Sequence, residues 1–202
     1  MYFLAFALTA LAACNGSTEA NRDSFAQAVN GYLNERGDLC LGKYDWPIAV
    51  SAQEIQTGGR NAVQLPVLEK LGVVRSIPVS ADDRSQQGGS PLAVRRYELT
   101  EAGQKYYLKR EGAGSQEHPA DFCAAKLSLD KIVSWEVHEK GSQSEAVVTY
   151  TYRVEAAPWA KDADAQRVFP AVARVLSGAG KAQLREAFTR TAQGWTAKDS
   201  LD

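Results

Sequence analysis

Apolar side chains run from Tyr2 to Leu8 and resume at Ala10 to Ala13, with Thr9 as the single polar interruption and no charge. As a helix this stretch reaches about 18 Å, short of the ~30 Å hydrocarbon core of a bilayer, so it suits a cleaved leader rather than a membrane span. Polar residues from Asn15 to Arg22 follow and cannot join a packed core. Beyond them Phe25, Val29, Tyr32 and Leu33 form one stripe at helical spacing, with Asp23 as a candidate cap and Gly37 as a stop. Leu39, Leu41, Trp46, Ile48 and Val50 predict an irregular extended region. A second helix is expected from about Asn61 to Leu71 around Pro66, ending at Gly72.

Val73 to Val79 and Leu92 to Leu99 read as strands flanking a polar loop from Ala81 to Pro91, and Thr100 caps an expected third helix from Glu101 to Arg110. The glycine-containing polar stretch over 111–119 is the expected domain boundary. Further on, Val133, Trp135 and Val137 alternate with polar residues, as do Val148, Tyr150, Tyr152 and Val154. With Gly141 to Ser144 between them, these runs predict an antiparallel hairpin with one buried face. A short helix near Pro170 to Leu176 and an extended segment from Leu184 to Ala197 close the chain.

Leu11-Ala12-Ala13-Cys14 resembles the lipobox of bacterial lipoproteins. The resemblance implies cleavage before Cys14, diacylglycerol on its thiol and acylation of the new amine. Two or three buried chains at ~0.8 kcal/mol per methylene anchor stably. The pattern is departed from in one respect: no Lys or Arg precedes the apolar run, so the free amino terminus, or residues upstream, would supply that charge. The plainer alternatives are an ordinary secretory leader or an amino-terminal helix with a chance cysteine. Asn15 in place of aspartate leans towards the outer membrane. The expected address is therefore the periplasm-facing cell envelope, reached through lipid on Cys14.

Composition adds limits rather than an activity. The net charge of −1 supplies neither the basic surface of a nucleic-acid binder nor a polybasic membrane patch. Of three cysteines, two remain once Cys14 carries lipid, and in an oxidising compartment the simplest expectation is a Cys40–Cys123 disulfide. Closing a loop of this length is worth about 4 kcal/mol in chain entropy. Two free buried thiols are the competing reading.

Two local resemblances bear on the fold. Leu68-Glu69-Lys70-Leu71-Gly72 with Tyr97-Glu98-Leu99-Thr100-Glu101-Ala102-Gly103 resembles the core of a winged-helix domain, over residues 60–110. That family commonly binds DNA, but the helix before the supposed wing holds a proline and a single lysine, and the loop carries Asp82 and Asp83. Nucleic acid is not expected as a partner. Residues 120–200 are faintly similar to cystatin-like or NTF2-like sheets, which implies a binding or dimerising surface and no particular residue.

Motifs that carry chemistry are not found. The two histidines, His118 and His138, sit in a polar break and on the wet face of a strand. A Cys–His hydrolase built on Cys40 or Cys123, or a metal site from Glu117, His118, Asp121 and Cys123, is weighed below solvated loops and a disulfide. Trp46, Trp135, Trp159 and Trp195 could line a sugar site, although core packing is the commoner use of tryptophan. Trp159, beside Pro158 and Lys161, is the one expected to be exposed, and with His138 it makes a candidate ligand surface. No cofactor is implied.

The expectation is an α+β protein: leader 1–13, lipidated tether 14–22, a winged-helix-like half 23–112 and a small antiparallel-sheet half 120–202. Its expected work is non-enzymatic, as an envelope scaffold or protein-binding module. A periplasmic ligand-binding or hydrolytic protein with a scattered site is the alternative.

Overall fold

A computed structural model describes residues 18–79, 93–109, 120–141 and 143–200. The leader, Cys14, the loop over 81–91 and the expected boundary over 111–119, with Glu117 and His118, lie outside the described residues.

The first helix, α1 (Arg22–Arg36), starts two residues earlier than an Asp23 cap suggests. Asn21 is its cap: the Asn21 side chain accepts from the Ser24 backbone N–H, and the Ser24 hydroxyl accepts from the Asn21 backbone, which satisfies two otherwise orphaned donors. Gly37 ends it. Its buried residues are Ser24, Phe25, Val29 and Leu33, the predicted stripe with Ser24 beside it.

Short strands β1 (Asp38–Cys40) and β2 (Ile48–Ser51) follow, then a capped one-and-a-half-turn helix α2 (Ala52–Thr57), which the sequence reading lacked, and α3 (Arg60–Lys70) with Pro66 inside it. Strands β3 (Val74–Pro78) and β4 (Ala93–Leu99) pair antiparallel, and β2 flanks β4 in a three-stranded sheet. Thr100 caps helix α4 as expected, but α4 (Glu101–Gln104) lasts a single turn. At Gly103 the backbone passes so close to Val73 that an added Cβ would sit 1.9 Å from the Val73 carbonyl oxygen. The chain then leaves as strand β5 (Tyr107–Lys109) rather than helix.

The dominant element is the hairpin of β6 (Ala120–Lys140) and β7 (Gln143–Ala156), reversed at Gly141, where φ is +64°. A 3-10 turn (Pro158–Lys161), α5 (Ala163–Val168) and α6 (Pro170–Gly178) lead to a last hairpin, β8 (Gln183–Thr191) and β9 (Gly194–Ala197). The sheet order is β1-β6-β7-β8-β9 with β5 also on β6, an antiparallel sheet curled into a half-barrel.

This architecture overturns the expected α+β division into a winged-helix-like half and a sheet half. β-structure predominates. β1 and β5, from the first half, are strands of the large sheet, and α1 packs on β6 and β9 rather than on α3. The reason lies in where apolar surface is offered. Phe25 meets Trp135 and Trp195 at centroid distances of 5.4 and 5.0 Å, inside a core with Val29, Leu33, Val148, Tyr150 and Phe188. Burying a residue such as Phe25 fully contributes about 1.5–3 kcal/mol, so the stripe follows the sheet's concave face. A second core gathers Leu65 and Leu68 of α3, Val74, Tyr97, Phe122, Trp159 and Phe169 at the other end of the β6–β7 hairpin.

Cys40 and Cys123 are bonded, S–S 1.98 Å, and stand opposite each other in the β1–β6 register. The bridge ties the strand leaving α1 to the base of the long hairpin.

Candidate functional groove

Around the second core, local sequence sets one aromatic side chain against another. Pro158 opens the 3-10 turn, and the small residues Ala157 and Ala160 on either side let Trp159 turn inward. Trp159 stacks on Phe122 at 5.4 Å and meets Phe169 at 6.0 Å and Tyr106 at 6.3 Å. Tyr106 in turn is fixed by its carbonyl, which accepts the Cys123 N–H at 2.8 Å.

The surface above these rings is concave. A cleft of about 500 Å³ is lined by Leu71, Val73, Ala102, Tyr106, Pro158 and Trp159, with Lys161 and Asp162 at its rim. A second cleft of about 320 Å³ shares Tyr106 and Pro158 and continues over Leu108 and Cys123, past Lys105, Lys126 and Glu155. The two clefts meet at Tyr106 and Pro158 and carry charged residues at their margins. Lys126 is paired with Asp38 at 3.5 Å. The Asp162 carboxylate accepts from the backbone of Asp164 and Ala165. Trp159 Nε1 is buried and has no acceptor among the described residues. A buried N–H left without a partner costs about 1–3 kcal/mol.

Elsewhere polar groups are engaged in holding the fold. Asp121, which the metal reading used, accepts the backbone N–H groups of Gly42 and Lys43 through its two oxygens at 3.1 and 2.8 Å. Cys123 is in the disulfide. Lys43 is buried, its Nζ 2.7 Å from Asn61 Oδ1, and burial together with the nearby Arg60 lowers its pKa to about 8. A smaller polar cleft of about 280 Å³ lies between α1 and β9 over Trp195. Tyr32 on its wall is pushed up to about 12 by burial and by Glu186. Among the described residues no three His, Cys, Asp or Glu side chains gather as a metal site, and no helix is long and apolar enough to cross a membrane.

The predicted ligand pair is not assembled. Trp159 is 5 % exposed and belongs to the core, against the expectation that it would be the exposed tryptophan. His138 is solvent-exposed near the far end of β6, its Nε2 3.9 Å from Glu136 Oε2. The residues that sequence reasoning missed are Tyr106, placed only within the expected third helix, Leu71, taken as the end of the second helix, and Lys43, a lone loop lysine with no distinguishing neighbour. No family model, curated protein or solved structure matches this chain.

Proposed function

We propose that this protein is a lipid-anchored module of the bacterial envelope that binds an extended, largely apolar segment of another envelope protein in the groove over Tyr106 and Pro158. The observation that carries the reading is the pair of clefts that meet at Tyr106 and Pro158, lined by Leu71, Val73, Leu108 and Trp159. An extended peptide supplies apolar side chains for that lining. Lys105 and Lys161, on the margins, suit carboxylates flanking such a segment. Anchoring rests on the lipobox-like Leu11-Ala12-Ala13-Cys14. Lipid confines the module to a thin layer and raises its effective concentration for envelope partners without new contacts.

The anchor is tested by the mass and detergent partitioning of the membrane-purified protein beside Cys14→Ser. The wild type should gain several hundred daltons that the variant lacks. The groove is tested by photo-crosslinking residues placed at 105 and 161, with controls at 153 and 185. One partner protein should be captured from both groove positions, not from the controls, and lost when Ala102→Trp fills the cleft. Equal capture from all four positions would refute the groove.

A further inference from the structure

The route by which the chain reaches its first core assigns the two ends of the molecule to different neighbours. The Glu19 carbonyl accepts from Trp195 Nε1 at 3.2 Å, and Arg22, the first residue of α1, donates to the Ile132 carbonyl. Trp195 stands opposite Arg190, and Thr189 opposite Glu145, so Glu19 is held in the turn-proximal half of the β6–β7 hairpin, with Arg22 reaching Ile132 at its middle, opposite Tyr150. Both reversals of the sheet, at Gly141 and between Thr191 and Gly194, lie at this same end. From Cys14 to Glu19 is five residues, which extend to at most about 18 Å.

The groove lies at the opposite end. Its β6 and β7 residues, Cys123 to Lys126 and Glu155 to Ala157, are at the open end of the hairpin, where Ala125 pairs with Ala156. From that pair to Lys140 opposite Gln143 is about 50 Å of strand contour.

We propose, resting on the lipid anchor at Cys14, that the hairpin end of the sheet lies against the headgroups of the anchoring bilayer and holds the groove several nanometres out, facing away from that membrane. The side chains near the turn suit contact with headgroups rather than insertion into hydrocarbon. Glu136, His138, Glu139, Lys140 and Gln143 are exposed and polar with charges of both signs, and Val137 among them is the one apolar side chain, 37 % exposed. A bilayer is the one partner that the short tether brings to this end at every moment. The groove therefore recruits its partner from the aqueous side, not from within the anchoring membrane.

The test is energy transfer on the lipidated full chain in phosphatidylethanolamine/phosphatidylglycerol vesicles carrying a rhodamine-headgroup lipid. Donors are placed singly at Gln143→Cys and Lys161→Cys, with Cys40 and Cys123 kept oxidised. Transfer should be several-fold stronger from position 143 than from 161. Equal or reversed transfer from protein that floats with the vesicles overturns the orientation and leaves the anchor standing. Protein that stays in solution and gives no transfer from either position refutes the anchor and the orientation with it.

Discussion

Lys43 offers the sharpest check on this packing, because its ammonium is buried where no carboxylate of the described residues pairs with it. Its Nζ reaches the Asn61 amide oxygen, while Asp121 is engaged by backbone N–H groups and Arg60 adds repulsion. Burial, then Arg60, lower the pKa from the ordinary 10.5 to about 8, outweighing the attraction of Asp121 and Glu54. The unfolded chain therefore holds this proton more tightly than the folded one. Below pH 8 both states are protonated and the folded state carries the full cost, about 3 kcal/mol at 1.36 kcal/mol per pKa unit. As pH rises from 8 towards 10.5 that cost is progressively lifted, so stability rises. Between pH 7 and 9.5 the gain works out at about 2 kcal/mol.

The assay is urea unfolding of the mature chain and of Lys43→Met at both pH values. Tyrosines whose pKa is raised by burial, Tyr32 among them, act in the opposite direction at higher pH, but they are common to both proteins and cancel in the difference. The wild type should gain about 2 kcal/mol relative to Lys43→Met on going from pH 7 to 9.5. Parallel pH profiles would refute the reasoning, since they would mean that the Lys43 ammonium is as well solvated in the folded protein as in the unfolded chain.

Other outcomes follow from single contacts. Replacing Cys40 and Cys123 together by alanine should lower the unfolding free energy by up to about 4 kcal/mol in urea titrations, the chain-entropy worth of the loop they close. Phe25→Ala, at the centre of the α1 core, should cost about 3–5 kcal/mol, whereas Ile55→Ser, on an exposed face of α2, should stay within about 0.5 kcal/mol. Gly103→Ala should destabilise by calorimetry, because its Cβ collides with the Val73 carbonyl. Trp159→Ala should cost about 3–5 kcal/mol. Trp159→Phe keeps the stack on Phe122 and removes an N–H without an acceptor, so it should cost less than half as much.

Periodicity made some of these elements legible in the sequence. The stripe Phe25, Val29, Leu33 announced α1, the alternation of Val133 to His138 against Val148 to Val154 announced the hairpin, and Pro170 to Leu176 announced α6. The start of β6 was invisible for a physical reason. Ala120 to Ala125 are all buried, so no exposed alternating face marks them as strand. Thr100 correctly announced a helix start, but its length was decided by the approach of Gly103 to Val73 in space. The same limit applied to α1: a stripe tells that a face is buried and not against what, which is how a helix assigned to one half came to pack in the other. Parity of cysteines, once Cys14 was set aside, carried more long-range information than any pattern, since it paired two residues 83 apart.

The groove was illegible for a related reason. Its floor comes from Leu71 and Val73 near the end of α3, Tyr106 after α4 and Trp159 after β7, brought together only by the sheet. Trp159 looked exposed because Pro158 and Lys161 flank it, yet the neighbouring alanines leave room for the ring to turn towards Phe122. The lipobox-like run Leu11-Ala12-Ala13-Cys14, by contrast, is local and reads from a few adjacent residues. Joining the two needs the fold: the chain enters beside Trp195 at the hairpin end, while Tyr106 and Trp159 sit at the open end. The long hairpin is thus the wall of both cores, and its length separates the end where Glu19 is held from the clefts over Tyr106 and Trp159.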